Sequence, residues 1–207
     1  MGSPSLETLG RVHTATVHKR RVRVIVRELA RLVPEGARVL DVGSGDGQVA
    51  ALLMSERPDL SVEGVDVLLR PDTAIPTREF DGTSLPFEED AFDAVMMVDV
   101  LHHTLEQERL LAECARVASK AVVLKDHYRR GLGAQATLRF MDWVGNRAHG
   151  VALPYRYLSP EQWRELYHRT GLVPVETRER LGLYPWPWTW LFDRRLHLIV
   201  RLEHGRP

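Results

Sequence analysis

The sequence predicts a mostly parallel α/β sheet with helices on both faces, built as one domain. Short apolar runs of strand length alternate with segments of helical spacing between residues 38 and 124, and this alternation is typical of a parallel sheet. The chain has 207 residues, a length suited to one substantial core. Because no Pro/Gly/Ser-rich or charge-rich stretch divides it, we expect residues 1–207 to form a single domain.

The composition is that of an ordinary globular protein. Apolar residues make up 44% and charged residues 27%, and 28 Lys plus Arg balance 28 Asp plus Glu, so no overall positive field favours nucleic acid. No stretch approaches the ~20 apolar residues of a membrane span, and residues 1–10 lack the pattern of a signal peptide. Cys114 is the only cysteine. We expect a cytoplasmic protein with a buried thiol, no intramolecular disulfide and no nucleic-acid partner.

The first 36 residues are predicted to be an N-terminal helical region. Residues 13–32 have helical spacing, and Pro34 and Gly36 end it. Inward-facing positions are Val17, Ile25, Leu29 and Leu32, and outward-facing ones are Arg20, Arg27 and Arg31. Basic residues dominate the stretch from Lys19 to Arg31. This pattern is open to an anionic membrane surface or nucleic acid, but we interpret it as a solvated helix face.

Five strands are predicted in the first part of the chain. They cover residues 38–42, 61–65, 77–80, 92–98 and 121–124, with helices at 48–54 and 105–117. Residues 126–157 then contain one helical stretch, 135–144, and no strand. We interpret 126–157 as a cap inserted after the fifth strand.

The remaining segment returns to regular structure. Ser159, Pro160 and Gln162 predict a capped helix that ends near Gly171, because Ser159 and Gln162 have the spacing of a capping box. Residues 173–179 and 195–202 are predicted to be two strands joined by the aromatic loop 184–192.

A glycine-rich loop follows the first strand in the segment VLDVGSGDG. Gly43, Gly45 and Gly47 let the backbone approach a ligand at the carboxyl edge of the sheet. A dinucleotide fingerprint would place a glycine three residues after Gly45, where this chain has Gln48. The spacing therefore disfavours a pyrophosphate cofactor, although a tight turn without a ligand stays an alternative.

Two acidic residues suggest an adenosine ligand. Asp66 ends the second strand about 20 residues after the glycine loop, where a carboxylate can accept hydrogen bonds from both ribose hydroxyls. Asp81 stands beside Gly82 and could accept a hydrogen bond from an exocyclic amine. The alternative for Asp66 is a solvated turn residue.

Four segments in order, VLDVGSGDG, VEGVDV, DGTSLPF and FDAVMMVDVLHHT, resemble the class I S-adenosylmethionine-dependent methyltransferases, especially the branch acting on small molecules and lipids. The resemblance spans residues 17–202. It implies a Rossmann-like sheet of seven strands whose last strand, 195–202, is antiparallel to the others. It also implies S-adenosylmethionine as the cofactor.

The resemblance assigns roles to individual residues. Gly43 and Gly45 would contact the methionine part and Asp66 the ribose. Asp81 and Gly82 would contact the adenine. Asp41 would support the loop and the methionine amine, and the backbone of Val98 and Asp99 would border the transferable methyl group.

Histidines are the candidates for a catalytic base. His102 and His103 follow the fourth strand, and Asp126 and His127 are expected just past the fifth, so all should lie near the methyl edge. We favour His127, because Asp126 could orient it. Helix capping and an ordinary loop residue are the alternatives, and no metal is expected.

The cap is expected to select the acceptor. Phe140, Trp143, Tyr155 and Tyr157 would form an apolar wall, with Asn146 and His149 as polar contacts, or Phe140 and Trp143 would only attach the cap to the domain. For the aromatic loop we expect burial against the cap, with membrane contact as a less favoured alternative.

The sequence therefore predicts in-line transfer of a methyl group from S-adenosylmethionine to a small, partly apolar acceptor. The competing hypotheses are a cofactor-binding regulatory or scaffolding module without turnover, and a nicotinamide-dependent oxidoreductase. The early Gly47 and the Asp81 segment disfavour the oxidoreductase.

Overall fold

The computed structural model describes residues 6–146 and 154–205; the side chains of residues 6–18 and 145–146 lie outside that description. The helices are α1 (Leu6–Leu32), α2 (Gln48–Glu56), α3 (Gln107–Val117), α4 (Ala134–Asn146), α5 (Pro160–Arg169) and α6 (Trp188–Phe192), with a short 3-10 helix at Leu101–His103. The strands are β1 (Arg38–Val42), β2 (Ser61–Asp66), β3 (Thr77–Glu79), β4 (Phe92–Val98), β5 (Ala118–His127), β6 (Leu172–Arg178) and β7 (His197–His204).

The strands form one seven-stranded sheet in the order β3-β2-β1-β4-β5-β7-β6. Neighbours from β3 to β5 are parallel, whereas β7 is antiparallel to both β5 and β6. The expected Rossmann-like sheet with an antiparallel last strand is confirmed. The carboxyl ends of β1, β2, β4 and β5 consequently lie along one edge of the sheet.

Helices cover both faces of the sheet, as the alternation of elements predicts. Side chains from α1 and α2 pack with Val39 of β1 on one face, and those from α3 and α5 pack with Leu40 and Val42 on the other. Successive residues of a strand point to opposite faces, so β1 contributes to both cores. Cys114 is fully buried in the second of these cores, as expected for a structural thiol.

The N-terminal helix is longer than residues 13–32, and its predicted faces are largely confirmed. Ile25, Leu29 and Leu32 are buried, and Arg20, Arg27 and Arg31 are exposed. The side chain of Val17 lies outside the described residues. No described helix is long and apolar enough to cross a membrane.

The predicted boundary between the fifth strand and the cap is wrong. β5 continues through Asp126 and His127, which pair with Leu198 and His197 of β7. The cap therefore begins after His127 rather than at residue 126. The predicted strand ends too early because charged residues are rarely buried inside a sheet. In the structure Lys125 and Asp126 are buried in β5, where they pair with β7.

Helix α5 begins with the predicted capping box. The Ser159 hydroxyl accepts a hydrogen bond from the backbone N–H of Gln162, and the Gln162 side chain accepts one from the Ser159 backbone. Pro160 occupies the first turn, where its missing N–H has no cost. The helix then directs Trp163 into the core, where its indole donates to the His127 carbonyl at 2.9 Å.

We predict that Ser159→Ala lowers the free energy of unfolding by about 1 kcal/mol, because one N-terminal amide of α5 loses its acceptor. Chemical denaturation measures the change. Ser55→Ala is the control, since Ser55 is exposed near the end of α2 and caps no helix. Equal losses in the two variants would contradict the role of the cap.

Candidate functional site

The glycine loop after β1 leaves open space where a ligand is expected. Gly43, Gly45 and Gly47 all have positive φ angles. A Cβ atom on Gly43 would lie 2.6 Å from a methyl carbon of Val100, whereas one on Gly45 would meet nothing within 4 Å. Gly43 is therefore required by packing, and Gly45 borders a free volume.

Asp66 is tied to this loop. Its Oδ2 accepts a hydrogen bond from the Gly45 N–H at 2.7 Å, and its Oδ1 accepts one from the Leu68 N–H at 2.9 Å. A carboxylate has about four acceptor sites, so each oxygen can still accept a hydroxyl proton. The side chain is only partly buried. This geometry fits a carboxylate that reads the two hydroxyls of a ribose, as the sequence predicts.

Asp41 is a buried carboxyl group near the same loop. It is 3% exposed, and burial, helped by the nearby charge of Asp66, raises its pKa to about 7. A cationic ligand group beside it would offset the desolvation of the carboxylate. This property fits the predicted contact with an amine.

Asp81 and Gly82 form a turn at the surface. Oδ1 of Asp81 accepts hydrogen bonds from the backbone N–H groups of Thr83 and Ser84, both at 2.7 Å. These bonds lower the pKa of Asp81, so the group stays ionised. Gly82 has a φ of +84°. The predicted contact of both residues with adenine stays a prediction.

Val98 ends β4 and Asp99 follows it, held by two cations from other elements. Its φ of +60° turns the chain sharply after the strand. One carboxylate oxygen accepts from Arg21 of α1 and the other from Lys125 of β5. Burial would raise the pKa of Asp99, but Lys125 and Arg21 outweigh it and keep the group ionised.

A second cluster surrounds His102, which is 1% exposed. Its Nδ1 lies 2.7 Å from Oδ1 of Asp126, and its Nε2 lies 3.3 Å from Oδ2 of Asp142, at ion-pair distance but without hydrogen-bond alignment. The hydroxyl of Tyr157 donates to the same Asp142 oxygen. Asp142, from α4, therefore connects the cap to the sheet edge.

The charges in this cluster fix the proton on His102. Burial would lower its pKa, but Asp126 and Asp142 outweigh burial and raise the pKa to about 10. His102 is therefore an imidazolium at neutral pH and cannot accept a further proton. We conclude that His102 acts as a fixed cation between two carboxylates.

The other two candidate histidines are neutral. Burial, assisted by Lys125, lowers the pKa of His127 well below its ordinary value, and burial with His102 lowers that of His103. His127 is 2% exposed, and its Nδ1 has no hydrogen-bond partner. His103 is partly exposed, although its Nδ1 is also buried without a partner. Of the three, His103 is the one open to solvent.

Among the described residues, two sets of side chains have the spacing of metal ligands. They are Asp99, His102 and His127, and His102, His103 and Asp142, with ligand atoms within 4.8 Å of one another. His102 belongs to both sets. Metal ligands must be deprotonated, and the imidazolium of His102 has no free lone pair at neutral pH. The protonated state of the cluster therefore opposes metal binding.

Several members of this site are absent from the sequence prediction. Arg21, Lys125, Asp142 and His197 all lie in or against the two clusters. Lys125 carried a usable signal, because a lysine within an apolar run next to Asp126 requires a buried partner. Arg21 and Asp142 look like surface residues of helices, and only tertiary packing reveals their contacts.

Of the four aromatic residues predicted to form an apolar wall, two are at least half-buried and two are exposed. Tyr157 is buried and Tyr155 is half-buried, whereas Phe140 and Trp143 are exposed on α4. The side chain of Asn146 and all of His149 lie outside the described residues. The expectation that the aromatic loop is buried against the cap is wrong, since Trp186 and Trp190 are exposed.

Comparisons with known proteins agree with this architecture. The chain is 29% identical over 151 residues to the demethylmenaquinone methyltransferase of Thermotoga maritima, covering 65% of each protein. It is 31% identical over 127 residues to the phosphatidylethanolamine N-methyltransferase of Cereibacter sphaeroides, covering 54% of this chain and 61% of the relative. The alignments thus span less than two thirds of either relative.

A solved structure shows the same fold. The S-adenosylmethionine-dependent methyltransferase of Mesorhizobium loti superposes with a TM-score of 0.62 at 18% identity, over 86% of this chain and 96% of that one. The family model described as a methyltransferase domain matches residues 17–177, which include the glycine loop, Asp66 and the histidine cluster. The chain therefore belongs to the methyltransferase domain family, whose cofactor is S-adenosylmethionine.

Proposed function

We propose that this protein transfers a methyl group from S-adenosylmethionine to a small, partly apolar acceptor. The observation that carries the proposal is the arrangement of Asp66 on the open Gly45 loop, with the buried Asp41 nearby. Asp66 would bind the ribose, and Asp41 with the Gly43 and Gly45 backbone would bind the methionine part. Asp81 and Gly82 would lie against the adenine.

The cofactor supplies an activated methyl group on a sulfonium, so the residues of this chain have to bind, orient and exclude water. Holding reacting groups in line is worth several kcal/mol or more, up to ~11 in favourable cases. Val98 ends β4 at this edge, and the contacts of the next residue, Asp99, with Arg21 and Lys125 fix the backbone there. The reacting groups would therefore be held by the edge of the sheet rather than by a loop.

We propose that His103 takes the proton when the acceptor carries one. A base must be neutral beforehand and within reach of the acceptor. His102 fails the first condition, and His127 is enclosed by β7 and the cap. His103 is neutral and partly exposed. The sequence preference for His127 stays a prediction, and single substitutions of the two histidines separate them.

A partly apolar acceptor is supported by the cap and by the relatives. Tyr155 and Tyr157 lie next to each other, with ring centroids 6.4 Å apart, and Tyr157 stacks against His102. The relatives from Thermotoga maritima and Cereibacter sphaeroides are named for a quinone precursor and a phospholipid. A module that only bound the cofactor would not need such a cluster of buried ionised groups beyond the donor loop.

We predict that S-adenosylhomocysteine raises the melting temperature and that NAD does not. A ligand at ~100 times its Kd adds about 2.7 kcal/mol to the free energy of unfolding.

Asp66→Ala should weaken the binding of S-adenosylhomocysteine by roughly 1.5 to 3 kcal/mol for each charge-assisted hydrogen bond lost, measured by calorimetry. Unchanged affinity would contradict the ribose role.

Glu63→Ala is the matched control for Asp66→Ala. Glu63 lies on the same strand but pairs with Arg38 and Arg78 at the surface, so affinity should not change. The reaction itself is tested with an acceptor library and mass spectrometry. A protein that binds the cofactor product with wild-type folding but methylates no acceptor would support the binding module instead.

We predict that the affinity for S-adenosylhomocysteine rises with pH through the pKa of Asp41, which is about 7. Below that pH the carboxyl is neutral and cannot pair with the homocysteine ammonium of this ligand, and above it the carboxylate can. Calorimetry between about pH 5.5 and 7.5 measures this slope. Asp41→Asn should remove it, while Asp81→Asn should keep it because the pKa of Asp81 is already lowered. A slope that persists in Asp41→Asn would contradict the assignment.

We predict that His103→Ala slows methyl transfer by ~10² to 10⁴, the usual loss for a missing base. Cofactor affinity and melting temperature should stay near wild type, and added imidazole should restore part of the rate. Single-turnover kinetics with the acceptor identified in the screen measure the effect.

His127→Ala and His102→Ala are the comparison variants. His102→Ala removes the cation that Asp126 and Asp142 share and leaves two buried carboxylates without an opposite charge between them, so it should destabilise the fold by about 3 to 5 kcal/mol. If His127→Ala shows the large rate loss and His103→Ala does not, the base is His127. Normal rates in both variants would mean that positioning alone carries the reaction.

A further inference from the structure

Exposed apolar side chains, most of them aromatic, lie on two segments that are linked by a hydrogen bond. In the segment around α6, Trp186 is 86% exposed, Trp190 79% and Trp188 43%. On α4 and just before it, Leu132 is 97% exposed and Phe140 54%. The guanidinium of Arg194 donates to the Thr137 hydroxyl at 3.0 Å, which joins the end of α6 to α4. We call these five apolar residues the aromatic surface.

Helix α4 separates the aromatic surface from the candidate site. Its inner face carries Ala134, Leu138 and Asp142, all buried at four-residue spacing. Asp142 reaches the His102 cluster from this face, while Phe140 points outward. One helix thus has the site on one side and exposed aromatic rings on the other.

The exposed charged residues of the two segments that carry the aromatic surface are all arginines. Arg139, Arg194 and Arg195 are exposed within or beside it. The acidic residues of the same two segments, 131–144 and 184–195, are Asp142, which is buried, and Asp193, which is half-buried. The surface therefore presents arginines and apolar rings to solvent, without an exposed carboxylate in either segment.

We propose that the aromatic surface docks this protein onto an anionic lipid bilayer. Tryptophan is enriched where protein meets the membrane–water interface, because its ring is apolar and its N–H is polar. Neighbouring arginines would pair with anionic headgroups, and this combination of rings and cations is how proteins lie on a bilayer without crossing it. Docking in this orientation places α4 between the lipid and the His102 cluster.

Charge favours a bilayer over a second copy of the chain. In a two-fold interface the same patch meets itself, so the three exposed arginines would face like charges across it. An anionic bilayer neutralises them instead. A patch of exposed Trp with arginines at its margin is also costly to leave in water.

The test measures binding of the full-length protein to phosphatidylcholine vesicles with and without phosphatidylglycerol, in the absence of methyl donor. Vesicles of brominated lipid should quench the exposed tryptophans, whereas Trp163, 1% exposed, should keep its emission. We expect binding that requires phosphatidylglycerol and weakens with salt. The Trp186→Ser/Trp190→Ser variant should lose about tenfold or more in partitioning.

Val175→Ser is the control, since Val175 is 51% exposed on β6 and belongs to another surface. Melting temperature and S-adenosylhomocysteine affinity should match wild type in both variants, so a failure of docking is separate from a failure of the proposed methyl transfer. Equal vesicle binding by the wild type and the Trp186→Ser/Trp190→Ser variant overturns the proposal. So does sedimentation that shows a dimer abolished by the same variant, because the aromatic surface would then join two copies.

Discussion

The ion triad of Asp99 with Arg21 and Lys125 is the interaction on which the rest of the site depends. Lys125 is fully buried in the centre of the sheet, and a buried ammonium without a partner costs several kcal/mol. Asp99 supplies the partner only because the chain turns through a positive φ after β4. The same carboxylate ties α1 to β5, so three elements separated in sequence are fixed at one point.

Because Asp99 pairs with the charge of Lys125, β5 can remain a strand for two more residues, Asp126 and His127. The cluster around His102 depends on this extension of the strand. Asp126 meets His102, and His102 meets Asp142 of the cap. Positive and negative groups therefore alternate from the N-terminal helix across the sheet edge to the cap. The charges of this network compensate one another in a low-dielectric interior, and they leave His103 as the neutral histidine at its open end.

Most of the fold could be predicted from the sequence because most elements carried their own local signal; an exception is α6, which lies in residues 184–192 that were predicted to be a loop. The apolar run 92–98 reproduces β4 without error, and Ser159 with Gln162 marks the start of α5. The glycine loop after β1 could also be predicted, since closely spaced glycines directly after a buried strand indicate a backbone that turns sharply and stays open to a ligand. These features depend on residues adjacent in the chain.

The cluster around His102 was less predictable because it depends on contacts between residues that are distant in the chain. Two carboxylates keep His102 charged, whereas burial and the charge of His102 lower the pKa of His103 and keep it neutral. One of those carboxylates, Asp142, comes from a helix that looks like a surface element in sequence. The exposure of Trp186 and Trp190 was missed because the sequence pattern predicted burial. A run of aromatic residues normally predicts burial, and only the packed structure shows that nothing described covers these two rings.

The reversed direction of β7 has a consequence for how this architecture can diversify. His197, its first residue, pairs with His127 at the last residue of β5, so the segment leading into β7 ends at the sheet edge that carries the candidate site. That segment joins antiparallel neighbours, and lengthening such a connection costs only about 0.6 kcal/mol for each doubling. The parallel strands and their glycine loop can therefore stay unchanged while the β6–β7 connection varies in length and composition.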